Sequence, residues 1–167
     1  VARRTTFDAI RAGSKVGVDI VGNGAEDVFE MTTDEFFAGL RPDVRFDVVF
    51  IDACHNYQQV LRDYNNAAAR CPDGAIFLHD MVPPSIEFTG NDLCWDAYKL
   101  LGPLLQHPGH SVKVLDSDYG LTVVLKPQPV VPYKYWAQLS YEEFASMPLS
   151  TVSLPEMMAV IAELCQG

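Results

Sequence analysis

The feature that most constrains the fold is a nearly continuous apolar run, Phe46 to Ile51, that stops at Asp52. An apolar run of strand length without alternation is typical of a strand buried on both faces of a parallel sheet. Apolar residues then recur at helical spacing from Tyr57 to Arg70, and a second strand-like run, Ala75 to Leu78, ends in the polar pair 79–80. This alternation predicts an α/β, Rossmann-like fold with a mainly parallel sheet and helices on both faces.

The segments on either side extend the pattern. Val16 to Val21 and Val28 to Met31 are strand-like, and Thr32 or Thr33 can cap a helix with an acidic first turn. Asn91 to Leu105 has apolar residues at helical spacing.

The last two strand-like runs have no helical pattern between them. Ser111 to Leu115 and Leu121 to Leu125 are strand-like, and only a short polar turn separates them. We therefore expect an antiparallel hairpin there, which adds one antiparallel strand at the edge of the sheet.

The chain divides by composition at about residue 126. Residues 1–126 are expected to form the Rossmann-like domain. Residues 127–167 begin with a proline-rich connector and continue into two predicted helices, Tyr141 to Met147 and Pro155 to Cys165. These helices are expected to pack back on the domain or on a second copy in a homo-oligomer.

Composition excludes several classes of partner. A formal net charge of -10 lacks the basic surface that nucleic acids require. The longest apolar runs are strand-sized, so no membrane span is expected, and the N-terminus has no apolar segment typical of a secretory signal. We expect a cytoplasmic protein. Its four cysteines have no metal-site spacing and are expected to be buried and reduced.

Ligands of such sheets bind beyond the carboxyl ends of the strands. In this chain those ends carry five polar residues: Asp19, Asp52, His55, His79 and Asp80. Asp19 can accept hydrogen bonds from both hydroxyls of a ribose, or lie in a solvated turn. His55 can take a proton near neutral pH, or make an ordinary loop hydrogen bond. Asp52 and Asp80 can share a magnesium-like cation, or cap the loops that follow.

Two stretches then resemble a known family. Residues 46–57 contain Ile-Asp followed by His-x-Tyr, and residues 72–80 contain Pro-Asp-Gly, a strand and His-Asp. They are similar to the fourth and fifth strands of class I S-adenosylmethionine-dependent methyltransferases, and most similar to a bacterial subgroup of sugar and secondary-metabolite pathways. The resemblance covers roughly residues 5–150. The family's glycine-rich first strand is missing or truncated, because Val1–Arg4 corresponds to the tail of its loop.

The resemblance implies an O-methyltransferase that acts on a hydroxyl of a small polar acceptor, with S-adenosylmethionine as cofactor. It places Asp19, Thr33, Asp34 and Asp52 at the cofactor. His55 is the expected general base and His79 the second candidate. Asp52 and Asp80 would orient these imidazoles or hold Mg²⁺.

Two other functions stay open from the sequence. If the family's glycine-rich loop is missing, the sequence favours an inactive methyltransferase-like domain that serves in binding or assembly. A dehydrogenase that binds NAD also uses a ribose-binding acid after the second strand, but the closing hairpin and the His-Asp pair fit the methyltransferase pattern better.

Overall fold

The computed structural model describes residues 5–22 and 24–164, which form two compact units divided after Val44. Val1–Arg4, which the resemblance assigned to the glycine-rich loop, lies outside the described residues. Within the described part of the chain, no helix is long and apolar enough to cross a membrane.

The first unit contains a parallel strand pair between helices. Its elements are α1 (Thr5–Ala9), β1 (Gly17–Asp19), β2 (Val28–Glu30) and α2 (Thr33–Gly39). Gly17 pairs with Val28 and Asp19 with Glu30, so both strands end at the same edge. Thr32 caps α2: its hydroxyl accepts a hydrogen bond from the Glu35 backbone, and the Glu35 carboxylate accepts one from the Thr32 backbone.

The second unit is built on a four-stranded sheet in the order β3-β4-β6-β5. Its first elements are β3 (Val48–Ile51), α3 (Tyr57–Ala68), β4 (Ala75–Leu78), α4 (Leu101–Gln106), β5 (Ser111–Val114) and β6 (Thr122–Leu125). β3 and β4 are parallel, and β6 pairs antiparallel with both β4 and β5. The mixed α/β architecture fits a Rossmann-like fold, and the antiparallel hairpin is confirmed.

Two expectations about these strands are wrong. The antiparallel strand β6 lies between β4 and β5 rather than at the sheet edge. β3 is not buried on both faces, because Val48 and Phe50 are 60% and 41% exposed. β3 is the terminal strand of this sheet, and its register with β4 places both side chains on the same, less covered face.

The expected helix from Asn91 begins later than its pattern predicts. Residues 91–96 form turns, and helical backbone starts with a 3₁₀ segment, Ala97–Leu100, that leads into α4. Trp95 has a positive φ of 45°, which a right-handed helix does not allow.

The C-terminal part forms three short helices: α5 (Lys134–Ala137), α6 (Tyr141–Ala145) and α7 (Leu154–Leu164). The sequence predicted α6 and α7 but not α5. Met157 of α7 packs in the core with Leu115 and Val123, so this helix covers the sheet of its own unit. Cys165 lies outside the described residues. Cys71 and Cys94 are buried as expected, but Cys54 is exposed.

Candidate active site

The parallel pairing of β3 and β4 brings two polar loops together. Ile51 is in register with Leu78, and the His79 backbone N–H donates to the Ile51 carbonyl at 3.0 Å. Asp52 and His79 therefore leave the sheet side by side. Asp80 follows with a positive φ of 58°, a conformation that is costly for a residue other than glycine and concentrates at functional sites.

His55 is fixed through one ring nitrogen. Its Nδ1 lies 2.7 Å from the Leu93 carbonyl, so Nδ1 carries the proton that this hydrogen bond needs. Its Nε2 lies 3.4 Å from Asp52 Oδ1 and 3.4 Å from Asp80 Oδ2. The imidazole thus connects the loop that follows β3 with the segment that precedes α4.

His79 faces carboxylates on both sides of its ring. Nδ1 lies 3.2 Å from Asp80 Oδ2 and 3.6 Å from Asp52 Oδ1. Nε2 lies 3.4 Å from Asp118 Oδ1, in the turn between β5 and β6. We call Asp52, His55, His79 and Asp80 the His-Asp cluster.

The carboxylates shift the proton affinities of the cluster. Contact with Asp80 raises the pKa of His79 to about 9. Burial, the largest single cause, lowers the pKa of His55. The combined effect of Asp52, the Leu93 carbonyl and Asp80 is larger and opposite, so the pKa of His55 is raised above its usual value. Burial also works against ionisation of Asp80, yet contact with both imidazoles leaves the pKa of its carboxyl lowered. The neighbouring carboxylates therefore favour the protonated form of both imidazoles, and the imidazoles favour the ionised form of Asp80.

Two nitrogens of the cluster are buried without a hydrogen bond: His55 Nε2 and His79 Nδ1. Their contacts with the carboxylates are long or poorly aligned. Buried polar atoms are nearly always hydrogen-bonded in folded proteins, so such exceptions mark places where a ligand, proton or ion is expected.

The segment before α4 supports the cluster from outside. The Cys94 thiol donates to Asp80 Oδ1 at 3.6 Å, and Asp96 Oδ1 accepts from the Tyr57 backbone N–H at 2.6 Å. Burial and the neighbouring Asp80 raise the pKa of Cys94 to about 12, so the thiol stays a donor.

Four of these groups were not identified from the sequence as site residues: Leu93, Cys94, Asp96 and Asp118. Leu93 acts through its backbone carbonyl, which no sequence motif marks. Asp118 lies in the short polar turn of the predicted hairpin, and its carboxyl side chain is the feature of the sequence that could have marked it as a site candidate.

The predicted metal ligands Asp52 and Asp80 do lie together, and His79 joins them. One ligand atom from each of the three lies within 4.8 Å of the others. The donor set is therefore mixed, with one imidazole nitrogen and two carboxylate oxygens.

The predicted adenosine residues belong to the first unit. Asp19 ends β1, and its Oδ1 accepts from the Val21 backbone N–H at 3.0 Å. Thr33 and Asp34 begin α2 after the Thr32 cap. Because Asp19 and Glu30 end a parallel pair in register, carboxylates stand at the edge where nucleotide riboses bind in such folds. A carboxylate such as that of Asp19 is chemically suited to accept hydrogen bonds from ribose hydroxyls.

An open cleft of about 320 Å³ lies next to the β5–β6 turn. Val82, Pro84 and Leu115 supply an apolar wall, while Ser117 and Thr151 are polar. The cleft adjoins the loop that carries Asp80, since the Val82 backbone N–H donates to the Tyr119 carbonyl at 2.7 Å.

Comparison with known proteins adds one match. Residues 6–81, a little under half of the chain, match the family model described as a methyltransferase domain. No curated protein matches the chain. The matched segment contains every residue predicted for the site: Asp19, Thr33, Asp34, Asp52, His55, His79 and Asp80. The match supports a methyltransferase domain in this chain.

Proposed function

We propose that this chain is an S-adenosylmethionine-dependent O-methyltransferase that methylates a hydroxyl of a small polar acceptor, a sugar or a natural product. The observation that carries the proposal is the His-Asp cluster at the strand ends of a chain whose residues 6–81 match a methyltransferase domain. Methylation of a hydroxyl needs a proton acceptor beside the oxygen, and an imidazole is suited to that task.

S-adenosylmethionine, when bound, supplies a methyl group on a positively charged sulfur. The chain's own residues must hold the acceptor oxygen in line with that methyl group and take the hydroxyl proton as the carbon–oxygen bond forms. Asp19, Thr33 and Asp34 are proposed to hold the adenosine. Asp52, expected at the cofactor from the sequence, is proposed to act within the His-Asp cluster.

His55 is the proposed general base. Its hydrogen bond to Leu93 leaves the lone pair of the neutral ring on Nε2, which faces Asp52 and Asp80. Asp52 is the more exposed of these two carboxylates, with 46% of its side chain accessible. We place the acceptor hydroxyl where the Asp52 side chain now covers Nε2, so that Asp52 turns aside when the acceptor binds.

His79 is proposed to position the cluster rather than to take the proton. Both of its nitrogens already face carboxylates, Nδ1 toward Asp80 and Nε2 toward Asp118. The adjoining cleft, which has both apolar and polar lining residues, is proposed to hold the body of the acceptor beyond its reacting hydroxyl.

The test is His55→Ala, assayed for transfer of a labelled methyl group from S-adenosylmethionine to a panel of sugars and hydroxylated natural products. Turnover should fall about 10²- to 10⁴-fold, the usual loss when a positioned base is removed. Affinity for S-adenosylmethionine should not change, because His55 faces the acceptor.

His107→Ala is the matched control, because His107 is a half-buried histidine of the same unit outside the His-Asp cluster. Its turnover should equal that of the unmodified protein. Near-normal turnover of His55→Ala at saturating acceptor would contradict the assigned role. Cofactor binding with no transfer to any acceptor would favour the alternative of an inactive binding module.

A further inference from the structure

An exposed aromatic side chain lines the cleft beside the β5–β6 turn. Tyr119 belongs to this lining, and 45% of the residue is accessible to solvent. Its ring packs against Phe88 of the 3₁₀ segment Ile86–Thr89, with ring centroids 5.6 Å apart and ring planes tilted by 35°. An aromatic ring offers a flat apolar surface on which another ring can stack. Tyr119 therefore provides a surface that suits the ring of a ligand.

The backbone holds Tyr119 in a fixed position. Its φ is positive, at 50°, a conformation that is rare for a bulky residue and concentrates at functional sites. The Tyr119 carbonyl accepts from the Val82 backbone N–H at 2.7 Å. A Cβ added at Gly120 would overlap Val82, so the turn packs closely against the segment that follows Asp80. A ligand on this ring would bind a surface that is already formed, which lowers the entropic cost of binding.

The same turn connects the cleft to the His-Asp cluster. Asp118 Oδ1, in the residue before Tyr119, lies 3.4 Å from His79 Nε2. Val82 of the cleft lining follows Asp80 by two residues. The cleft and the cluster are therefore built on the same two loops.

The dimensions of the cleft limit what it can hold. Its volume of about 320 Å³ is at the low end of the range for ligand sites, which is roughly 300 to 1,000 Å³. Val82, Pro84 and Leu115 supply apolar groups to the lining. The cleft thus suits a single ring with an apolar face better than several fused rings.

The charge of the lining distinguishes among ligands that carry a ring. Asp116 is an exposed carboxylate residue of the lining, and Asp118 follows two residues later. Among the described residues that line the cleft, none is a lysine or an arginine. An anionic ligand would therefore meet negative charge with no cationic partner. An ammonium group, in contrast, can pair with Asp116 and approach the face of Tyr119.

We propose that this cleft binds one ring of an acceptor that carries an amino group, with the ring stacked on Tyr119 and the ammonium group paired with Asp116. That the ligand is the acceptor of a methyl group rests on the proposed function, whereas its binding in the cleft does not. Tyr119 and Asp116 are then specificity-determining residues, because they contact the acceptor away from its reacting hydroxyl. An amino sugar and an aromatic amine share this chemistry and differ in the ring that they present.

The experiment measures the binding of two matched series by saturation-transfer difference NMR, which reports the ligand hydrogens that lie against the protein. The first series is glucosamine, glucose and glucuronate, and the second is tyramine, tyrosol and para-hydroxyphenylacetate. In each series the ring is retained while the charge changes from positive to neutral to negative.

We expect the amine of one series to bind about 10-fold more tightly than its neutral member, the value of one charge-assisted hydrogen bond, and the anion to bind most weakly. The series in which this occurs identifies the ring as a sugar or an aromatic ring. Equal affinities within both series, tighter binding of the anions, or failure of both amines to bind would overturn the proposal.

Variants assign each contact. Tyr119→Ala should weaken binding of the preferred amine about 3- to 10-fold, whereas Tyr119→Phe, which keeps the ring, should bind it normally. Asp116→Asn should remove the preference for the amine over the neutral member. The controls are Tyr133→Ala, at an exposed tyrosine outside the lining, and Asp73→Asn, at an exposed aspartate that precedes β4. Circular dichroism verifies that each variant folds.

Unchanged binding in Tyr119→Ala, an equal loss in Tyr119→Phe, or a preference for the amine that survives Asp116→Asn would contradict the assignment. Titration with S-adenosylmethionine on the same samples separates the two proposals. Binding of an amine without binding of S-adenosylmethionine would contradict the proposed function and leave the cleft assignment standing. Binding of S-adenosylmethionine with no preference for either amine would overturn the cleft assignment alone.

Discussion

His55 and His79 differ in what their second ring nitrogen contacts. Nδ1 of His55 donates to the Leu93 carbonyl, which fixes one tautomer and leaves Nε2 toward Asp52 and Asp80. His79 has carboxylates at both nitrogens. The backbone oxygen of Leu93 thus distinguishes the proposed base, His55, from His79, which is proposed to position the cluster.

His110 lies outside the His-Asp cluster and offers a pH-dependent test of packing. Its Nε2 lies 3.0 Å from the Gln128 carbonyl and 3.3 Å from the Tyr64 hydroxyl, and its ring stacks on His107. Burial is the largest cause of its lowered pKa, and the neighbouring His107 lowers it further, against the raising effect of the Gln128 and Leu104 carbonyls.

A histidine whose pKa is lower in the folded state binds fewer protons there than in the unfolded chain. Its neutral form stabilises the fold above about pH 6.5, and this contribution is lost as the pH falls through the folded pKa. The destabilisation caused by His110→Gln should therefore be largest above neutral pH and shrink under mild acid. Urea unfolding at several pH values measures this difference, with Ser111→Ala as a neighbouring control without a titratable group. A difference that grows toward acid would contradict the assignment.

At the residue level, the sequence predicted the centre of the site but not its surroundings. Asp52, His55, His79 and Asp80 follow two apolar runs, and the carboxyl ends of parallel strands share an edge, so their convergence could be expected. Leu93 contacts His55 from 38 residues away, and Asp96 contacts the Tyr57 backbone at the start of α3 from 39 residues away. Such contacts depend on how a loop folds back, which local periodicity does not encode.

Among the secondary-structure elements, the hairpin of β5 and β6 shows what local pattern can and cannot predict. A short polar turn between two apolar runs predicted the hairpin itself. The place of the hairpin in the sheet depends on which of its two strands pairs with β4. In the structure, β6 pairs with β4 along the whole length of both strands. The turn contains three consecutive residues with positive φ, Asp118, Tyr119 and Gly120, of which only Gly120 favours this conformation intrinsically.

Helix α4 packs against the unpredicted helix α5 through Gly102 and Trp136. A Cβ added at Gly102 would overlap the indole ring of Trp136, which is only 4% exposed. Alanine is the better helix former by about 1 kcal/mol, but forced overpacking in a core typically costs about 1 to 3 kcal/mol. Gly102→Ala should therefore lower the free energy of unfolding, as measured by urea denaturation.

Gly39→Ala is the matched control, because Gly39 is also helical and a Cβ there meets no atom within 4 Å. This variant should be as stable as the unmodified protein or slightly more stable. Equal destabilisation by both substitutions would mean that the contact between Gly102 and Trp136 does not limit packing.

For the whole molecule, the match to a methyltransferase domain and the His-Asp cluster concern the same part of the chain, because all four cluster residues lie in the matched segment. The match covers residues 6–81, whereas the supporting contacts from Leu93, Asp96 and Asp118 come from beyond it. The later half of the chain therefore completes a site whose central residues lie in the matched segment.

The central claim, that the chain uses S-adenosylmethionine, is tested most directly by calorimetric titration with S-adenosylmethionine and, in parallel, with NAD. We predict that S-adenosylmethionine binds and NAD does not. Asp19→Ala should weaken binding by about 2 to 4 kcal/mol, the value of two charge-assisted hydrogen bonds to a ribose. Asp43→Ala, which removes an exposed carboxylate paired with Arg41 in the same unit, should leave it unchanged. Binding of NAD in place of S-adenosylmethionine, or no binding of S-adenosylmethionine at all, would contradict the account.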